Sequence, residues 1–299
     1  MMSSVTWIAS LGLAALVSTS ALALDSDWGQ VAQALGKSGS EMPGGVYRVG
    51  LPRSDLKVTL DGVEIKPALA LGSWLAFQKI GGEAMVMGDL VLTADEVSPA
   101  MAKLAEGGID ITGLHNHLLR SSPATLYMHI LGHGDPVKLA NTLHAALAES
   151  KTPFQLPAPA PAQPAPAQIG LDTSAIDQTL GAKGAITGGV LQFSIPRAEA
   201  ITEDGAVVPP PMGAAIAINF QPTDGGKAAV TGDFVLVAKE VNPVLKELLG
   251  GGIEITALHS HMLDEQPRLF FMHFWANDDA QKLAKGLRAA LDHVAIKKS

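Results

Sequence analysis

Nine histidines stand in this 299-residue chain, and six of them fall in matched positions. His115 and His117 form a His-x-His pair followed by His129, and His259, His261 and His273 repeat the spacing. Successive side chains on a β-strand point to opposite faces, so a His-x-His pair on a strand presents both rings to one face. A returning strand that sets His129 opposite His115 brings three imidazoles together. The opposite choice of face would place Leu126 and Met128 there instead, and these suit packing on helices better. In the second copy Phe270 and Met272 take the inner face, and His273 lies beside His261. Three neutral imidazoles from adjacent strands are the donor set of open zinc sites, with a fourth position left for water. Copper, nickel and iron accept the same donors. The expectation is a divalent transition metal, zinc first, in one site of His115, His117 and His129 and another of His259, His261 and His273. A solitary strand histidine is ordinarily a surface or hydrogen-bonded core residue. The third histidine, and retention of all three in both copies, set these apart.

Four carboxylates also recur and are the candidate catalytic groups. Asp89 interrupts the apolar run MVMGDLVL, and Asp233 is its counterpart. An ionised group in such a run is costly unless paired or ligating. It can serve as a fourth ligand, as a partner orienting a histidine, or as a base on metal-bound water; a strand-edge turn after Gly88 is the plainer alternative. Glu96 and Glu240 precede helices, where a negative charge favours the free amides, and that structural role suits them better. Arg53 and Arg197 each follow a strand and a proline. Either side chain suits bidentate binding of a substrate carboxylate or phosphate, or else a structural ion pair. His133 is available to the first site only, because Asn277 replaces it in the second copy.

The elements that position these residues come in duplicate. GDLVLTADEVSPAMAKLAEGGIDITGLHNHLLRSSPATLYMH (88–129) aligns without gaps to residues 232–273, an offset of 232 − 88 = 144, with about half of the positions identical. The match extends to VYRVGLPR (46–53) against VLQFSIPR (190–197), and to the helical segments that follow each third histidine. Self-similarity at a fixed offset means repeated structural units. Between the copies, QLPAPAPAQPAPAQ (155–168) is uncharged and alternates proline with alanine, the composition of an extended, semi-rigid linker. The domains are therefore a first repeat over 25–152, a linker over 153–169 and a second repeat over 170–299.

Within the first repeat the pattern predicts a short helix from Trp28 to Leu35, then strands over Val46–Leu51, Val58–Ile65, Leu69–Ile80 and Ala84–Thr93. Ser98-Pro99 and Asn242-Pro243 read as a cap followed by proline at the first helical position. Those helices end at Gly107-Gly108 and Gly251-Gly252. Strands over Ile109–Leu118 and Thr125–Leu131 follow, and a last helix begins at Asp135-Pro136. The expected fold is α+β: two homologous domains related by a pseudo-twofold, each a mostly antiparallel sheet with helices packed on it.

Composition narrows the function. With 21 Lys+Arg against 29 Asp+Glu the net charge is −8, a poor match to nucleic acid or to anionic membrane surfaces. Cysteine is absent, which excludes disulfides, thiolate metal sites and cysteine nucleophiles. No G-x-S-x-G elbow marks a nucleophilic serine. Residues 1–24 carry no charge and end in Ala21-Leu22-Ala23, the form of a secretory signal, although the positive n-region is weak. Once that segment is removed no transmembrane segment is expected, and the product is placed in the periplasm or outside the cell.

At GLHNHL…YMHILGHGDP and ALHSHM…FMHFWANDD the chain resembles the LppY/LpqO family of exported bacterial proteins, over both copies. The resemblance implies export and a duplicated fold and assigns no activity. The mycobacterial members are named as lipoproteins, whereas this sequence has no cysteine to lipidate. Three functions compete: a periplasmic metal-binding protein acting as a metal-dependent hydrolase, a metal-free module binding a small polar molecule, and an interaction protein of the envelope. The cupin motif fits poorly, because Ser121 stands where Glu265 stands in the second copy and the glycine spacing fails.

Overall fold

The computed structural model describes residues 27–154 and 169–297; residues 1–24, expected to be a secretory signal, and the Pro/Ala-rich stretch 155–168, expected to be a linker, lie outside the described residues. The first repeat runs α1 (Asp27–Leu35), β1 (Ser40–Met42), β2 (Val46–Pro52), β3 (Val58–Leu60), β4 (Val63–Ile65), α2 (Pro67–Ala70), β5 (Gly72–Ile80), β6 (Glu83–Leu92), α3 (Ala94–Glu106), β7 (Asp110–His115), β8 (Leu126–Gly134) and α4 (Pro136–Ala148). The second runs α5 (Thr173–Leu180), β9 (Ala185–Thr187), β10 (Val190–Pro196), β11 (Thr202–Glu203), β12 (Ala206–Val207), β13 (Ala215–Pro222), β14 (Lys227–Val237), α6 (Ala238–Gly250), β15 (Glu254–His259), β16 (Leu269–Asp279) and α7 (Ala280–Leu291). Each repeat builds a six-stranded antiparallel sheet, ordered β1-β2-β5-β6-β8-β7 and, in mirrored sequence, β15-β16-β14-β13-β10-β9. The α+β class and the internal duplication are those expected.

Alternation along the strands sorts the side chains into two layers. In the first repeat Val86, Leu90, Met128 and Ile130 join Val31, Leu104, Leu143 and Leu147 in a core between the sheet and its helices. The opposite face, with Ala76, Met85, Met87 and Leu131, packs into the second repeat beside Ile218, Ala228 and Val230. Val91 and Tyr127 likewise share a cluster with Val190, Ala229 and Trp275. The molecule is therefore layered helix–sheet–sheet–helix, with the two sheets face to face and the histidine-bearing faces turned inward.

Local expectations failed in four places, each for a physical reason. Ser98-Pro99 does not open a helix: α3 starts at Ala94 and carries Pro99 inside. The true entry is fixed by Glu96, whose carboxylate accepts the Thr93 amide at 2.9 Å, and Glu240 does the same for Val237 at 3.0 Å. A carboxylate on the first free amides offsets the bond that the inner proline lacks. The run Val58–Ile65 is a hairpin, because Asp61 (φ 48°) and Gly62 (φ 81°) turn the chain back on itself. The run Leu69–Ile80 begins as a helical turn, with Pro67 at its first position and the Leu71 amide bonded to Pro67 O at 2.9 Å. Finally, β7 stops at His115, so His117 lies two residues beyond the strand.

Candidate functional site

The hairpin register differs from the expected one by two residues. Gly113, not His115, lies opposite His129, and His115 lies opposite Tyr127. A two-residue shift preserves the face, so His115 and His129 still share it; His117, beyond the strand, lies beside them with its ring centroid 4.8 Å from that of His115. Asp89 is the direct neighbour of His129 across the next strand pair, and Asp233 holds the same position beside His273.

The larger departure is that the two triads are one cluster. Because the sheets meet face to face, His115 stacks on His259 with ring centroids 3.4 Å apart, His117 on His273 at 3.6 Å, and His129 on His261 at 3.8 Å. Tyr127 covers His117 and Phe271 covers His261, both at 3.4 Å. Two mutually close donor sets appear: His115, His117, His129 and His259, and then His259, His261 and His273. The second set is the triad expected of the second repeat, and the first is the triad of the first repeat joined by His259, so the two sites abut in one cluster.

The rings are oriented by backbone. Nδ1 of His115, His259 and His273 lies 3.3, 3.2 and 2.8 Å from the carbonyls of Asn116, Ser260 and Gly232. A carbonyl only accepts, so these nitrogens carry the proton and each Nε2 keeps its lone pair. That is the tautomer control seen around metal-bound histidines. His115 and His129 face each other through their Nε2 atoms at 2.7 Å. Nε2 of His117, His259, His261 and His273 has no partner although buried, and neither has Oδ1 of Asp89 or Asp233. These are six of the eleven such atoms among the described residues, concentrated at one place. Buried polar groups are nearly always paired, so the concentration marks a site for something that accepts lone pairs.

Electrostatics agrees with that reading. Burial lowers His115 to about 4; burial, together with the neighbouring His115, lowers His259 to about 3. The other four are held well below the ordinary histidine value, by burial first and by mutual repulsion second. All six imidazoles are therefore neutral at pH 7 and free to ligate. Burial pushes Asp89 up to about 8 against the opposing pull of Arg48, and it raises Asp233 well above the carboxylate range. A cation among the histidines would reverse that preference and draw protons off both. Asp89 Oδ2 is 3.9 Å from His117 Nε2, and Asp233 Oδ2 is 3.4 Å from His261 Nε2.

Other candidates lie elsewhere. Arg53 is fully buried, bonded to Glu96, Asp55 and the Val91 carbonyl, and Arg197 repeats this with Glu240, Glu199 and the Val235 carbonyl. The substrate-binding role expected of both arginines gives way to a structural one, since no surface is left to meet a ligand. The catalytic role weighed for Glu96 and Glu240 gives way with it, because both carboxylates are taken by these pairs and by the helix entries. His133 is exposed and sits four residues along β8 from His129, roughly 13 Å at strand rise, too far to complete the first site. Two contributors carried no sequence signal. Thr112 Oγ1 donates to the His261 carbonyl at 2.5 Å, and Arg120 bridges Asp61 and Glu254 across the repeats at 2.7 to 3.0 Å.

Fold and site together define a duplicated α+β protein whose halves share one buried imidazole-and-carboxylate centre. The chain belongs to the family described as Domain of Unknown Function (DUF1259), matched over residues 29–149 and again over 174–293. No curated protein matches it. Among solved structures it is similar to a trimeric bacterial microcompartment shell protein, PduB, at 11% identity over 88% of this chain and 96% of that one. The TM-score is 0.23, a likeness too slight to speak for fold or function.

Proposed function

We propose that the protein is an exported, transition-metal-binding member of its family, with zinc the first ion to test and metal-dependent hydrolysis the first reaction. The observation that carries the metal reading is the convergence of unpartnered, buried Nε2 atoms from both repeats beside two buried carboxylates. Imidazole nitrogens with carboxylate oxygen suit zinc, copper, nickel and iron alike, and zinc supplies a water nucleophile near neutral pH. Export rests on the uncharged leader with its Ala21-Leu22-Ala23 pattern and on the LppY/LpqO resemblance; N-terminal sequencing of the exported product is expected to begin near Asp25.

Elemental analysis of the natively exported, tag-free protein is expected to find one to two equivalents of a transition metal. The His115→Ala/His259→Ala double variant, which removes the stacked pair that joins the two halves, is expected to lower that content. A wild-type protein that stays metal-free after reloading with zinc, copper, nickel and iron would overturn the metal reading. Hydrolysis would then be abandoned with it, and a small polar ligand sought by thermal shift in chelator.

A further inference from the structure

The two halves of the cluster are not equivalent. Each oriented imidazole has a single lone pair, so His259, whose Nδ1 faces the Ser260 carbonyl, ligates one ion through Nε2. His259 counts in both donor sets, with His115, His117 and His129 and with His261 and His273; only in the first does it complete a shell of four imidazoles. His115 is held to that set by its 2.7 Å contact with His129 Nε2 and is absent from the other. With His259 engaged, His261 and His273 remain, and Asp233 lies between them. Its Oδ2 is 3.4 Å from His261 Nε2 and its Oδ1 is 3.8 Å from His273 Nε2. All three offer buried atoms without partners. One backbone strap favours this half: Thr112 holds the His261 carbonyl, while the matching Thr256 hydroxyl has no partner. Ala257 stands where Gly113 allows the approach, and a Cβ on Gly113 would lie 3.2 Å from the Ser260 carbonyl.

We propose that the centre holds two unequal ions: a closed one on His115, His117, His129 and His259 that ties the repeats together, and an open one on His261, His273 and Asp233. Four imidazoles complete a tetrahedral shell and leave no position for an incoming group, as in structural sites. Two imidazoles and a carboxylate leave positions that water or a small anion takes, the donor set of both hydrolytic zinc and oxygen-activating iron centres. This deepens the metal reading above and rests on it.

The test is cobalt(II) loading of the full chain, followed by metal content, visible absorption and azide titration. Two equivalents are expected, with azide shifting the bands of one ion alone. Asp233→Asn is expected to abolish the azide response and to weaken one equivalent by about tenfold or more, leaving the four-nitrogen spectrum. His117→Ala is expected to do the reverse, and circular dichroism confirms that both variants are folded. If His117→Ala fails to fold, His129→Gln takes its place. An azide response from both ions, loss of both ions in either folded variant, or an unaltered response in Asp233→Asn would overturn the two-position arrangement while leaving metal binding intact. Absence of any cobalt uptake would overturn both.

Discussion

Arg53 and Glu96 show what a buried charge needs. The guanidinium is fully buried, and its two bonds to Glu96, at 2.7 and 3.1 Å, are joined by others to Asp55 and a carbonyl. Removing one partner from a buried pair strands the other, at a cost of about 3–5 kcal/mol. Arg53→Met is accordingly expected to lower the unfolding free energy, read from urea titration, by that order, with the metal content of the folded fraction unchanged. Burial pushes the Glu96 carboxyl up, but bonds from Arg53 and from the Thr93 and Lys151 amides together hold it below its usual value, and Glu240 behaves alike. A lowered folded value means stability fully present above the ordinary glutamate range and lost as pH falls through the folded value. Acid titration of stability should therefore be shallower below about pH 5 in Glu96→Gln/Glu240→Gln than in wild type; equal slopes would show that these carboxylates do not drive acid unfolding.

At the scale of elements, the β7 bulge and the β6 glycine shape the centre. The register of β7 shifts between Ile111 and Gly113, which frees Thr112 to reach the His261 carbonyl. Thr112→Val keeps the shape and removes one hydrogen bond, worth about 0.5–1.5 kcal/mol. The melting temperature should fall slightly, and Thr256→Val, whose hydroxyl has no partner, should leave it unchanged or raise it. Gly88 precedes Asp89, and a Cβ there would lie 2.8 Å from both the Leu75 side chain and the Trp74 carbonyl. Gly88→Ala is expected to cost about 1–3 kcal/mol by overpacking and to disturb the Asp89 position. Calorimetry reads the first effect and metal affinity the second; a neutral result on both would mean that the sheet yields without strain.

Across the whole molecule, the repeats are held by an apolar inter-sheet core, by the Arg120 bridge and by the shared histidines. Arg120 is half-exposed, so its bridge is worth little beside the core. A protease site placed within 155–168 tests this balance, since the two repeats are expected to co-elute after cleavage. Separate elution would show that covalent connection holds the halves together. Bound metal should add stability in proportion to its affinity, about 2.7 kcal/mol at one hundred times the dissociation constant. Chelation should therefore lower the melting temperature of wild type, and lower that of His115→Ala/His259→Ala by less.

The duplication, the α+β class and the six histidines were legible in the residues alone, because periodicity and internal repetition are local, one-dimensional signals. So was the shared face of His115 and His129, which depends only on strand parity and therefore survived a two-residue change of register, whereas His117 lies beyond the strand and joins them through its stacking on Tyr127 and His273. The helix entry at Ala94 was obscured by Ser98-Pro99, a cap-like pair lying inside a helix whose true entry a side chain three residues in secures. What tertiary structure decided was the union of the triads. No local pattern states which faces of two sheets will meet, and burying Met85, Met87 and Leu131 against the second repeat is what carries each set of imidazoles onto the other. The same burial commits Arg53 to Glu96 and leaves Asp233 unpaired beside His261 and His273, so the difference between a structural ion pair and a candidate ligand was set by packing.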